Sequence, residues 1–426
     1  VDAGGALTLS AEDTSDIRAD AGGAALAIGS DNSAIAIGAS VAINIVNTTV
    51  EAEIADSTVD AGSVDASANG SPTVEALTVA GAVSGSDDSL AFGGAGSGSG
   101  NYVTSTIEAI IVDSDVTTTA GDLNLTAVDN STINADAGSG AIAIAAGGDS
   151  AQTAAAVGAA AAYNEVSSTT RAAIEGTDNT ILGAGAATLD ASSTTEIDAF
   201  TLGLAGWLSA SSGGTSISLA GAGSGSGNYV RNTISSTVTD VSLETTAGDV
   251  SLSAVDDSTI NAEAGAVSVS IAAGQSSTVG VGLGLSITIN DIDNDILAVI
   301  DDSDVTSSGD LTLTAMSTAE IESLAIGASL AVSASSGGTP VAVGATGTAS
   351  SNRISNTIKA AIEDTDAGSD NTIDVGGALS IDASDSSIIN SFGFAGAIAI
   401  AAGSSGTPIA GSIGVGVALN TIDNDT

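Results

Sequence analysis

The sequence predicts an all-β chain folded as an elongated β-solenoid, a parallel β-helix built from tandem repeats. A long antiparallel β meander is the alternative. Three observations lead there. Self-similar segments recur along the whole length. Apolar residues alternate with period two and show no helical period. The composition suits thin stacked sheets: 43 % of the 426 residues are hydrophobic but only 2 % aromatic, with 54 Gly and 3 Pro. Small and β-branched side chains fit tightly stacked strands, and scarce Pro leaves backbone ladders uninterrupted.

The repetition has two levels. GAGSGSGNYV stands at Gly94–Val103 and again, unchanged, at Gly221–Val230. AVDNSTINADAG at Ala127 returns as AVDDSTINAEAG at Ala254, and SASSGGT at Ser209 returns at Ser333. These matches lie 124 to 127 residues apart. A shorter unit is nested inside, opened by a strand such as GALTLSA at Gly5, GDLNLTA at Gly121 or GDVSLSA at Gly248. Residues 1–426 therefore read as one continuous array of seven units, opening near 5, 62, 121, 186, 248, 309 and 377. Odd and even units differ in their middles, which produces the longer period.

Each unit proceeds in the same order. After the opening strand come turn signals rich in Gly, Asp, Asn and Ser, among them GSDNS, AAGGDS and AAGSSGT. An alternating strand follows, as in SAIAIGASVAINIV, with Ile35, Ile37, Ala39, Val41, Ile43 and Ile45 on one side. Ala154–Ala162 is Ala-rich enough to suggest a helix, but it aligns with these strands and is assigned as one. One residue then recurs once per unit: Asn44, Asn101, Asn164, Asn228, Asn290, Asn352 and Asn420. Asn tolerates unusual backbone and its amide bonds neighbouring groups, so these seven read as a structural ladder at a bend. GAGSGSGNYV ends on that ladder Asn. It is thus a variant of a recurring strand, and it lacks the Lys-Ser/Thr ending and helix of a phosphate loop. A unit accommodates three coils of about 20 residues or one wide flattened coil. Three coils give a rod of roughly 100 Å; one gives about a third of that. Aligned on the ladder, Thr426 corresponds to Val50 and Val1 to Val59, so about eight residues would join end to start. The chain reads as a window on a longer array.

Charge narrows the partners. There are 51 acidic residues against five basic ones, Arg18, Arg171, Arg231, Arg353 and Lys359, for a net −46. That field repels nucleic acid and anionic membrane surfaces. The absence of Cys and His removes disulfides, thiol chemistry, the usual zinc sites and imidazole catalysis. No stretch reads as a membrane-inserted helix.

Acid-rich clusters are the one place for chemistry. Asp291, Asp293, Asp295, Asp302 and Asp304 fall within NDIDNDILAVIDDSDV, and Asp423 and Asp425 repeat its first part. Hard oxygen ligands at short spacing suit calcium, the one candidate cofactor; the competing reading is that Asp and Asn mark turns and solvate the exterior. Enzymatic activity is not expected, because paired carboxylates are too abundant to mark a site and a site made once would break the repeat. Asp366–Asp374 is the best irregularity and reads as a loop. Trp207, the single Trp, reads as a packed residue at a turn ahead of a carbohydrate-binding aromatic.

The grammar of GASVAINIVNTTVEAEIADSTVDAG and its repeats resembles the tandem repeats of giant bacterial surface proteins, the filamentous-haemagglutinin-like and autotransporter-type adhesins. The resemblance covers the whole chain. It implies secretion, display at the cell surface and a β-helical stalk that reaches or adheres. The function expected is an extracellular fibre or stalk segment, with a Ca²⁺-dependent adhesion module binding glycans or another cell as the alternative. The expected partner is the chain itself, head to tail or laterally.

Overall fold

The structure is a computed structural model, described here for residues 1–30, 33–87, 89–365 and 372–426. It is a β-solenoid: every strand pairing along it is parallel, which rules out the antiparallel meander. Pairing partners lie one whole unit apart. Val46 faces Val103, and Val166 faces both Val103 and Val230. Each unit is therefore one wide flattened coil, and the seven coils rise about 34 Å at the usual strand spacing.

A coil runs in three legs. Its opening strand (Leu123–Asp129 in the third coil) turns through two residues into a middle strand (Thr132–Gly147). A tip turn then leads into a long return strand (Gln152–Gly183). From the fourth coil on, the return strand is split at a bend into pairs such as Ser216–Val230 and Thr233–Thr245. The seven middle strands form one sheet, and the opening and return strands share a 20-stranded sheet that wraps the other side. From corner to tip the opening and middle strands together span about 80 Å. The motifs AAGGDS, SASSGGT and AAGSSGT lie at the tips, two residues of GSDNS lie outside the described residues, and Ala154–Ala162 lies in the return strand.

The coil has two halves. In the narrow half, the opening strand packs on the second part of the return strand. Large aliphatic residues fill it, with Leu125, Leu189 and Leu252 stacked in register and fully buried opposite Ile107, Ile174 and Ile234. In the broad half, the middle strand packs on the first part of the return strand. Beside the bends Ile133, Ile197 and Ile260 pack on Val103, Val166 and Val230, and toward the tip the core is made of alanine: Ala80, Ala141, Ala143, Ala154, Ala156 and Ala220. Trp207 is the exception, 5 % exposed within that alanine cluster and in mid-strand, not at a turn. The two layers of the broad half come so close that inward positions often hold glycine. A Cβ on Gly158 would lie 2.0 Å from the Leu204 carbonyl oxygen, and one on Gly203 would lie 2.0 Å from that of Gly223.

Alternation does the rest. With period two, an inward row of small residues leaves the intervening residues outside. Ile35, Ile37, Val41, Ile43 and Ile45, the large apolar residues of the alternating strand, all face outward.

Candidate functional site

The seven ladder asparagines point inward on the return strands. Each donates its side-chain N–H to the Oδ1 of the next: Asn44 to Asn101 at 2.8 Å, Asn101 to Asn164 at 2.7 Å, Asn164 to Asn228 at 2.8 Å. The chain of amides continues through Asn290 and Asn352 to Asn420 at 2.7–2.8 Å. One donor and one acceptor per residue are thereby satisfied without water, the condition for burying an amide. The ladder lies within strands. The bend falls four residues later and carries a second line of asparagines, Asn232, Asn294, Asn356 and Asn424. Their Oδ1 atoms accept the backbone N–H of the equivalent residue one coil earlier, at 2.8–3.0 Å. The sequence carries a signal for this line four residues after each ladder Asn, where Thr48, Ser105 and Ser168 are followed by these four asparagines.

Across the interior, this bend meets the one that ends the opening strand. Asn294 donates to Asp256 Oδ1 at 3.0 Å and to Ser258 Oγ at 3.2 Å. Ser258 and Ser317 also donate to the Asp256 carboxylate, at 2.6 and 3.2 Å. Asp256 is fully buried, and burial pushes its pKa up to about 6 against the pull of these three donors. Asp129, two coils earlier, is also raised by burial. A polar seam thus separates the aliphatic core of the narrow half from the interior of the broad half.

The proposed calcium ligands are scattered along the coils. Asp291 faces outward between Arg231, at 3.7 Å, and Arg353, at 3.3 Å. Asp293 and Asp295 flank the bend residue Asn294 and are exposed, and Asp423 and Asp425 flank Asn424 two coils later. The intervening coil puts Ser355 and Thr357 between the pairs. Asp302 and Asp304 stand at the corner that leads to the next coil. Asp302 has φ 48°, a left-handed conformation shared with Asp56, Asp113 and Asp240, which Asp adopts more readily than most residues. Its Oδ1 accepts the N–H of Thr365 at 3.1 Å, and Asp304 Oδ1 accepts that of Thr372 at 2.8 Å. The same contacts recur in the second coil, from Thr177 to Asp113 and from Thr180 to Asp115. These carboxylates fasten the corner of one coil to the backbone of the next. Among the described residues, no group of three or more metal-binding side chains converges on one point. Most of the insertion Asp366–Asp374 lies outside the described residues.

Sequence reasoning missed the distribution of charge. On the return strands, residues 33–45, 90–101, 153–164, 216–228, 278–290, 340–352 and 409–420 contain no Asp, Glu, Lys or Arg. On the middle strands, 21–30, 78–86, 137–148, 201–214, 264–274, 325–338 and 393–407 contain none either. Both outer faces of the broad half are therefore uncharged in a chain of net −46. Ionic groups begin at their margins. On the middle-strand side, Asp20, Glu75, Asp136, Asp198 and Glu263 line a shallow groove, where Arg18 pairs with Glu75 at 3.0 Å. Burial, reinforced by Asp198, raises the Asp136 carboxyl. On the return-strand side, Tyr102, Tyr163 and Tyr229 stack at 5.3–5.4 Å between rings, and Arg231 sits 5.0 Å over Tyr229. Tyr163 donates to Glu165 at 2.8 Å, and its phenol is pushed up to about 12 by burial and by that carboxylate.

No family model matches the chain, and neither does any curated protein or solved structure.

Proposed function

We propose that this chain is a segment of an extracellular fibre or stalk of a bacterial surface protein, and that its work is reach and stiffness. One observation carries the reading: the same coil is laid down seven times in register, joined at every step by parallel backbone ladders and by the asparagine chain. Equivalent residues of successive coils do equivalent structural work. That is the economy of a quasi-one-dimensional support, whose stability is a sum over neighbouring repeats. The acidic exterior of the narrow half keeps such a body soluble. The repeat grammar supports secretion and surface display. Further coils, in the same chain or another, add by the same register.

The test is small-angle scattering and electron microscopy of the chain and of its two- and three-fold tandems, with calcium and then with chelator. Length is expected to grow by about 34 Å per segment at constant cross-section in both conditions. Tandems that collapse into beads or globules would defeat the fibre reading. Extension that needs calcium would replace it with the calcium-dependent adhesion module.

A further inference from the structure

The return-strand face of the broad half alternates along the solenoid axis. Odd coils present large side chains there: Leu283 and Leu285 of the fifth coil are 48 % and 51 % exposed, and Val157 of the third is 48 % exposed. Even coils present glycine or alanine at the same positions: Gly221 and Gly223 of the fourth coil lie beside Val157 and Ala159, Leu283 and Leu285 flank them on the other side, and the sixth coil places Ala345 and Gly347 there. GAGSGSGNYV is the floor of a groove, and the neighbouring coils are its walls. Ridges recur every second coil, about 9.6 Å apart. The period of about 125 residues is the period of this corrugation.

We propose that this face packs against the same face of a second copy of the chain, with the ridges of each entering the glycine grooves of the other. The inference rests on the fibre reading and names how fibres associate laterally. Two coils of like kind would oppose ridge to ridge, so the copies are displaced by one coil along the axis. Five outward positions on each of six facing strands give about 1,000 Å² per copy, against ~800 Å² per partner in a standard interface. An apolar area of that size exceeds what monomeric surfaces usually expose. The charge distribution permits the contact: the acids lie beyond the margins, so facing copies bring no carboxylates into the interface, and the corrugation distinguishes this face from the equally uncharged middle-strand face. What opposes approach is the long-range repulsion of two bodies of charge −46, which salt screens over a Debye length of ~8 Å at physiological strength. Association therefore strengthens as salt rises, the reverse of an ion-paired interface.

Sedimentation velocity of the full chain at low salt and at about 0.5 M NaCl tests this. Dimers and larger even species are expected to accumulate with salt. The deciding variant is Gly96→Leu with Gly223→Leu. Both glycines have open space where a Cβ would go, so the coil accommodates the change while two grooves are filled. Association is expected to weaken by about 100-fold although apolar surface has been added. Leu285→Asp, which removes a ridge, is expected to do the same. Amide exchange on each variant confirms that the coils remain folded. Filled-groove variants that associate as tightly as the parent would overturn the proposal. So would a parent chain that stays monomeric in salt, or one that instead floats with phosphatidylcholine vesicles. None of these results touches the length-per-tandem measurement that judges the fibre reading.

Discussion

The two halves of each coil solve one packing problem in opposite ways. In the narrow half, large aliphatic side chains such as Leu189 and Ile174 point in, and polar ones such as Asp190 and Glu175 point out. Toward the tip of the broad half, alanine, serine and glycine point in, and leucine, isoleucine and valine point out. The cause is distance. Where Gly158 and Leu204 bring backbones into contact, no inward row of leucines has room. Cohesion there comes from backbone ladders and close-packed small groups, not from buried aliphatic volume. The lesson is that inside and outside in a two-layer coil follow the layer separation and not hydropathy.

The sharpest way to break this comparison is Leu189→Ala. Leu189 is fully buried between Leu125 and Leu252, and truncation leaves a cavity that costs about 2–5 kcal/mol. Denaturation, or local amide exchange given that repeat arrays unfold piecewise, should show loosening of the third to fifth coils. A cost below about 1 kcal/mol would mean that the narrow half is no better packed than the broad one.

The seam between the halves gives a pH signature. The Asp256 carboxyl sits at about 6 in the fold and at about 3.9 when unfolded. Between those values the native state holds more protons than the unfolded one, so stability falls as pH rises through that window. The loss, up to about 3 kcal/mol, is complete above the folded value and absent below the unfolded one. Melting followed from pH 4 to pH 7 should show it, and Asp256→Asn should flatten the profile. A parent chain that instead gains stability across this window would place the proton balance elsewhere.

How much of this was legible beforehand differs by feature. Parallel stacking and the ladder Asn44 to Asn420 followed from repetition, because an identical residue at an identical place in every coil has itself as neighbour. The width of the coil did not, since pairing partners 57 or 63 residues apart leave no local mark. The corner aspartates were legible as special but not as to purpose, because Asp302 needs the same oxygen to accept a backbone N–H as to ligate calcium. The uncharged faces could have been found by asking where charges fall relative to each ladder Asn, and not only how many there are.

Within the broad half, closeness of the layers can be tested with one methyl group. Gly158→Ala forces the third coil away from Leu204, and overpacking of this kind costs about 1–3 kcal/mol. The same exchange at Gly96, where nothing lies within 4 Å, should be neutral or slightly stabilising in a strand. A matched pair of melting curves suffices. Equal effects at the two sites would show that the layers part easily and that the glycines answer to something other than contact.

The smallest expected effect is the most informative about the outer face. Leu204 is 41 % exposed on the middle strand, opposite in orientation to Leu189 though only a turn away in sequence. Leu204→Thr removes apolar surface from solvent contact and puts in its place a β-branched residue that suits a strand. Stability of the isolated chain should change by less than about 0.5 kcal/mol. Because Leu204 neither fills the core nor carries charge, folding alone gives no reason for leucine there. A neutral result would show that the fold does not depend on the apolar exterior of the broad half. A loss near that of Leu189→Ala would mean that outward side chains hold neighbouring coils together, and the two halves would then differ only in which surface of the sheet carries the packing.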